Sequence, residues 1–160
     1  MKKKLILSCL LAVGIFFVSW AEGEENIDPY RIGYLYDNQL PDLQVQKSLQ
    51  NSAMWQEFTS DHPNWIARFD ERTGLPHRAF GSPFFVGAAE ETTAKNFLNQ
   101  AFPAANLPLN ELEYLTKTET AAYDHLILQQ RHQGLVVKNA RADFKFTKDG
   151  RLVLLGLDIH

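Results

Sequence analysis

The stretch from Leu126 to Leu157 leaves this chain few ways to fold. Ala142, Phe144 and Phe146 alternate with Arg141, Asp143 and Lys145. A period of two puts one set of side chains in a core and the other in water. Lys148-Asp149-Gly150-Arg151 follows. Asp-Gly between two apolar runs predicts a hairpin turn, because glycine takes positive φ without a Cβ clash. Leu152 to Leu157 is apolar at both parities, the pattern of a strand covered on both sides. Upstream, Leu126 and Leu128 open a strand that ends at Gln133-Gly134. The whole reads as an antiparallel meander.

One helix is predicted over Glu90 to Phe102. Ala94, Phe97, Leu98, Ala101 and Phe102 form a single apolar stripe, and Glu90 and Glu91 favour the positive end of the helix dipole. Pro103 stops the helix. After the loop Asn106–Asn110, Leu112, Tyr114 and Thr116 begin a strand that returns at Tyr123. The expected fold is therefore α+β: an antiparallel meander sheet of about four strands with one amphipathic helix packed on it. A β-hairpin extension at 64–80 precedes it, with Trp65, Ala67 and Phe69 before the Asp70–Gly74 turn and Leu75 to Phe80 after it. Pro76 places the second strand of that hairpin at a sheet edge. Tyr30, Ile32, Tyr34 and Tyr36 alternate about Gly33 as a short strand. Between Leu40 and Phe58, Leu43, Leu49, Ala53 and Phe58 point to a helix, but Pro41 opens the stretch and no spacing is sustained.

At the start, Lys2, Lys3 and Lys4 precede an apolar run from Leu5 to Trp20, with Ser19-Trp20-Ala21 in the place of a cleavage site. This is the layout of a cleavable signal peptide, residues 1–21, and the run is short for a membrane span. Its removal takes the only cysteine, so no disulfide or thiol nucleophile remains. It also takes three lysines and no acid, moving the formal net charge from −3 to −6. An acidic chain without a basic cluster is a poor ligand for nucleic acid or an anionic membrane. The expected location is extracellular or periplasmic.

No catalytic set is visible. His62, His77, His125, His132 and His160 show no ligand spacing, so the expectation is no metal and no cofactor in this chain. Adjacent helical side chains such as Glu90 and Glu91 diverge by about 100° and do not address one atom. Ser48, Ser52, Ser60 and Ser82 lack the Gly-x-Ser-x-Gly setting, and no lysine follows a glycine run to cradle phosphate.

The segment Gln130-Arg131-His132-Gln133-Gly134-Leu135-Val136-Val137-Lys138-Asn139-Ala140, followed by Asp149-Gly150, resembles the fungalysin/thermolysin propeptide (FTP) motif, in its fungalysin branch. It departs from the family pattern at His132. The resemblance spans about residues 88–159, and the Trp65–Gly81 phrase is similar to the region preceding such modules. It implies an FTP/PepSY-like fold at 88–160 behind an N-terminal extension at 22–87. It further implies the pro-region of a secreted fungalysin-like zinc metallopeptidase, an intramolecular chaperone and inhibitor. The partner is then the metallopeptidase catalytic domain, in cis if the gene continues beyond His160, with zinc held only there. A free-standing secreted binding module or protease inhibitor is the alternative. Gln130, Gly134, Val137, Asn139 and Gly150 are the family-motif and candidate partner-contact residues. Read as structure, Gly134 fixes a turn, Val137 enters the core, and the amides satisfy backbone groups; read as function, the same rim docks a peptidase.

Overall fold

The computed structural model describes residues 40–160, which fall within one compact unit. The expected signal peptide 1–21 and the short strand at Tyr30–Tyr36 lie outside the described residues. Two helices, α1 (Leu43–Gln50) and α2 (Ala53–Asp61), come first, then β1 (Ile66–Phe69), β2 (Pro76–Phe85) and helix α3 (Glu91–Ala101). Two 3-10 turns, Pro103–Ala105 and Leu109–Glu111, lead to β3 (Leu112–Glu119), β4 (Tyr123–His132), β5 (Leu135–Thr147) and β6 (Arg151–Asp158). The strands form one antiparallel sheet in the order β1-β2-β6-β5-β4-β3.

The class is α+β, but the expected four strands and one helix are corrected to six strands and three helices. The 64–80 hairpin is part of the same sheet. Strand β6 has β5 on one side only, and β2 supplies its other ladder, with Ala79 opposite Leu155 and Phe84 opposite Leu152. Pro76 therefore does not mark an edge. It stands at the first position of β2, before the ladder with β6 begins, so its missing N–H costs no bond there. Pro83 lies in the irregular stretch between Phe80 and Phe84, where the ladder is interrupted.

Helices α1 and α2 each start at a side-chain cap. Asp42 Oδ1 accepts from the amides of Gln44 (2.8 Å) and Val45 (3.3 Å), and Ser52 Oγ accepts from Trp55 (3.4 Å). Trp55 and Phe58 of α2 are buried in an aromatic cluster that joins α2, α3 and the sheet. Phe58 stacks on Phe102 at 5.2 Å and meets Trp65 edge-on at 5.6 Å, while Trp65 meets Phe84 at 5.3 Å. Beyond it, Leu98 of α3 joins Leu112, Leu126, Leu128, Phe144, Phe146, Leu152, Leu155 and Leu157 on the inner face of the sheet. The α3 stripe is buried at Ala94, Phe97 and Leu98, as its spacing requires.

The outer face departs from the simple alternation in two ways. Strand β6 is not covered on both sides: Leu154 is half-buried, and Phe80 opposite it and Ile66 beyond are exposed. An irregularity at Val153 gives β6 its second apolar parity, since it lets Leu152 and Leu155 both face inward. Asp143, expected to be wet, is only 1% exposed. Its Oδ2 lies 3.1 Å from Arg141 Nε and 3.4 Å from Arg78 Nη1. Arg78 reaches it from β2 because Gly156 intervenes on β6: a Cβ there would sit 2.1 Å from Arg78 Nη1.

Candidate docking surface

The motif residues lie on β4, β5 and the turns at the two ends of β5. At one end Gln133 (φ 50) and Gly134 (φ 81) form a two-residue turn of the I′ kind, closing His132 against Leu135. Just below it the ladder is interrupted. Gln129 pairs with Arg141 and Arg131 with Val136, so Gln130 alone faces Val137, Lys138, Asn139 and Ala140. Asn139 makes the necessary bend at φ 62, a conformation Asn tolerates better than most residues. The Gln129 amide holds the bulge together, with Nε2 2.9 Å from Val137 O and 2.7 Å from Ala140 O.

Gln130 is not a rim residue: it is 2% exposed. Its Oε1 accepts from His160 N at 2.9 Å, and its Nε2 donates to His160 O at 2.6 Å and to Glu111 Oε2 at 2.9 Å. One side chain thus presents the donor and acceptor of a strand residue to the main chain of His160. Gln46 does the same to the main chain of Phe69, with both bonds at 2.9 Å. Val137 is half-buried in the bulge and stays out of the core cluster. Gly150 stands apart, at the far end of β5. There its N–H donates to Thr147 O at 3.0 Å and its carbonyl accepts from both Val86 and Gly87 at 3.0 Å.

The exposed part of this region is the turn tip itself. Leu135 is 75% exposed and Val136 54%. Beside it runs β3, one of the two edge strands, with Tyr114 and Leu115 half-exposed. The two are tied: Glu111 at the mouth of β3 bonds His132 Nδ1 at 2.6 Å, and Glu113 bonds Arg131 Nε at 3.1 Å. Gln130 and His132 hold the Glu111 carboxyl below its ordinary value. Glu91 of α3 accepts from the outward amide of Tyr114 at 2.9 Å, fixing the first half of the edge. The Lys95 hydrogen bond foremost, helped by that amide, holds the Glu91 carboxyl below its usual value against the opposing effect of desolvation. A fixed edge strand beside an apolar hairpin tip offers a partner both a ladder and side chains to bury.

The charged network on the outer face escaped the sequence reading. Besides Arg141 and Arg78, Asp143 has His125 Nε2 3.7 Å from its Oδ1, which has no hydrogen-bond partner among the described residues. Burial pushes the Asp143 carboxyl up, but His125, Arg141 and Arg78 together outweigh it and hold it below the ordinary value. Asp158 joins the group through His77 Nδ1 and, at 3.7 Å, Arg78. These groups link β2, β4, β5 and β6 across the sheet. The remaining histidine, His62, stacks on Phe84. Among the described residues no three His, Cys, Asp or Glu side chains converge as a metal site would require, and no helix is long and apolar enough to cross a membrane.

No protein-family model matches this chain, and no curated protein or solved structure matches it.

Proposed function

We propose that this chain acts by binding, as the pro-region of a secreted fungalysin-like zinc metallopeptidase whose catalytic domain lies outside the sequence. The observation that carries this reading is the pairing of an open edge strand, β3, with the exposed Leu135–Val136 tip of the β4–β5 hairpin. The FTP-like residues support it by building that hairpin. Gly134 and Asn139 shape it, and Gln130 anchors its base to the main chain of His160. The peptidase adds a ladder along β3 and covers the tip, and zinc stays in the peptidase.

Inhibition kinetics test the proposal. The purified chain should slow peptide hydrolysis by a fungalysin-like peptidase domain and show no turnover alone. Linkage in one polypeptide supplies an effective concentration in the millimolar range, so the detached chain is a weak inhibitor and the assay runs to high micromolar concentration. Leu135→Ser with Val136→Ser, both exposed, should lose inhibition while melting like the parent. Equal inhibition by parent and double variant would reject the tip as the docking element.

A further inference from the structure

A cleft of about 510 Å³ opens on the helix side of the sheet, between the end of α2, the end of β2 and one flank of α3. It is separate from β3 and the hairpin tip, and what it binds does not depend on a peptidase partner. Its floor is aromatic: Phe84 and Phe97 have ring centroids 5.8 Å apart. His62 lies flat on Phe84, with centroids 3.7 Å apart and planes 17° apart. Desolvation lowers the pKa of His62 against the opposing charge of Asp61, so the ring is neutral at pH 7. The rim carries Asn96 and Gln100, exposed one turn apart on α3, and Asp61 at the last position of α2.

Each of these features narrows the ligand. The volume falls in the range of sites that enclose small ligands and suits one aromatic side chain with the backbone on either side of it. Two carboxamides supply both donors and acceptors, which is what an extended peptide unit needs. Among the described residues Asp61 is the only Asp, Glu, Lys or Arg lining the cleft, so its field favours a cation and disfavours a carboxylate. We propose that the cleft is a peptide-binding subsite that takes an aromatic side chain against Phe97 and the His62–Phe84 stack and sets a neighbouring Arg or Lys against Asp61.

The test is an amide NMR titration of the full chain with N-acetyl-Phe-Arg-amide and, separately, N-acetyl-Phe-Glu-amide. The expected result is saturable shifts at Asp61, Thr93, Asn96 and Gln100, with the Arg peptide bound about two- to fivefold more tightly, the scale of one exposed ion pair. Asp61→Lys should reverse that order. The variant is compatible with the fold, because Asp61 is exposed and a cation suits a helix C-terminus, and its own amide spectrum verifies folding. Absence of saturable shifts, shifts confined to other surfaces, or an unchanged order in Asp61→Lys would each overturn the proposal.

Discussion

Gly134 and Gly150 make a matched pair, since both sit at φ 81 in a β-turn and only their surroundings differ. An added Cβ at Gly134 meets nothing within 4 Å. At Gly150 it would stand 2.8 Å from Gly87 O and 3.0 Å from Gly87 C, backbone atoms that cannot rotate aside. Alanine at either position bears the left-handed penalty of about 1–2 kcal/mol. At Gly150, relieving the contact also requires Gly87 to withdraw. That strains the two 3.0 Å bonds from Val86 and Gly87 to Gly150 O, worth about 1 kcal/mol each. Gly134→Ala should therefore cost about 1–2 kcal/mol and Gly150→Ala about 3–4 kcal/mol. Urea unfolding of the two variants and the parent, analysed with a common slope, measures both. Equal losses, or a larger loss at Gly134, would refute the claim that the β5–β6 turn is locked onto the end of β2.

Phe97→Ala should cost about 3–5 kcal/mol in the same assay, whereas the exposed Asn96→Ala should stay within about 0.5 kcal/mol of the parent. Asp143→Asn leaves Arg141 facing a neutral group and Arg78 with Asp158 alone, a loss of about 1.5–3 kcal/mol at pH 7. Because the folded Asp143 pKa lies below its ordinary 3.8, its contribution is complete above that value and disappears as pH falls through the folded pKa. The parent and Asn stability curves should therefore converge in acid, and parallel curves would contradict the assignment. Gln130→Ala should raise hydrogen exchange at the His160 amide, since that N–H loses its 2.9 Å acceptor; unchanged exchange would mean the clamp is not formed in solution.

The β3–β6 meander and α3 were legible because their signals are local. Phe144 and Phe146 alternate with charged residues, the α3 stripe ends at a proline, and the Asp-Gly step turns the chain. Helices α1 and α2 were hidden because each is only two turns long and α1 buries a glutamine, Gln46, rather than an apolar stripe. Their start signals were present in Asp42 and Ser52, whose side chains cap them. The place of the 64–80 hairpin depended on pairing with β6, more than sixty residues away, which no local pattern encodes. Asp143 read as wet because alternation cannot reveal that Arg78 crosses over Gly156 to cover it. Within the candidate site, Gly134 was placed correctly at a turn. Gln130 was read two ways, as an amide that satisfies backbone groups and as part of a docking rim; its two-point bond to the main chain of His160, thirty residues on, is the first of these and buries the side chain. Val137 was read by its apolarity as core, but the bulge carries it outward.

Hydrogen exchange on the complex tests the docking account most directly. The chain and a fungalysin-like peptidase domain would be mixed at high micromolar concentration, and amide protection compared with that of the free chain. The expected result is new protection along β3 from Leu115 to Glu119 and at the Gln133–Val136 tip, with β1 at the opposite edge unchanged. Protection confined to β1 or the helices, or no change in the mixture and none when the two are joined in one polypeptide, would contradict it.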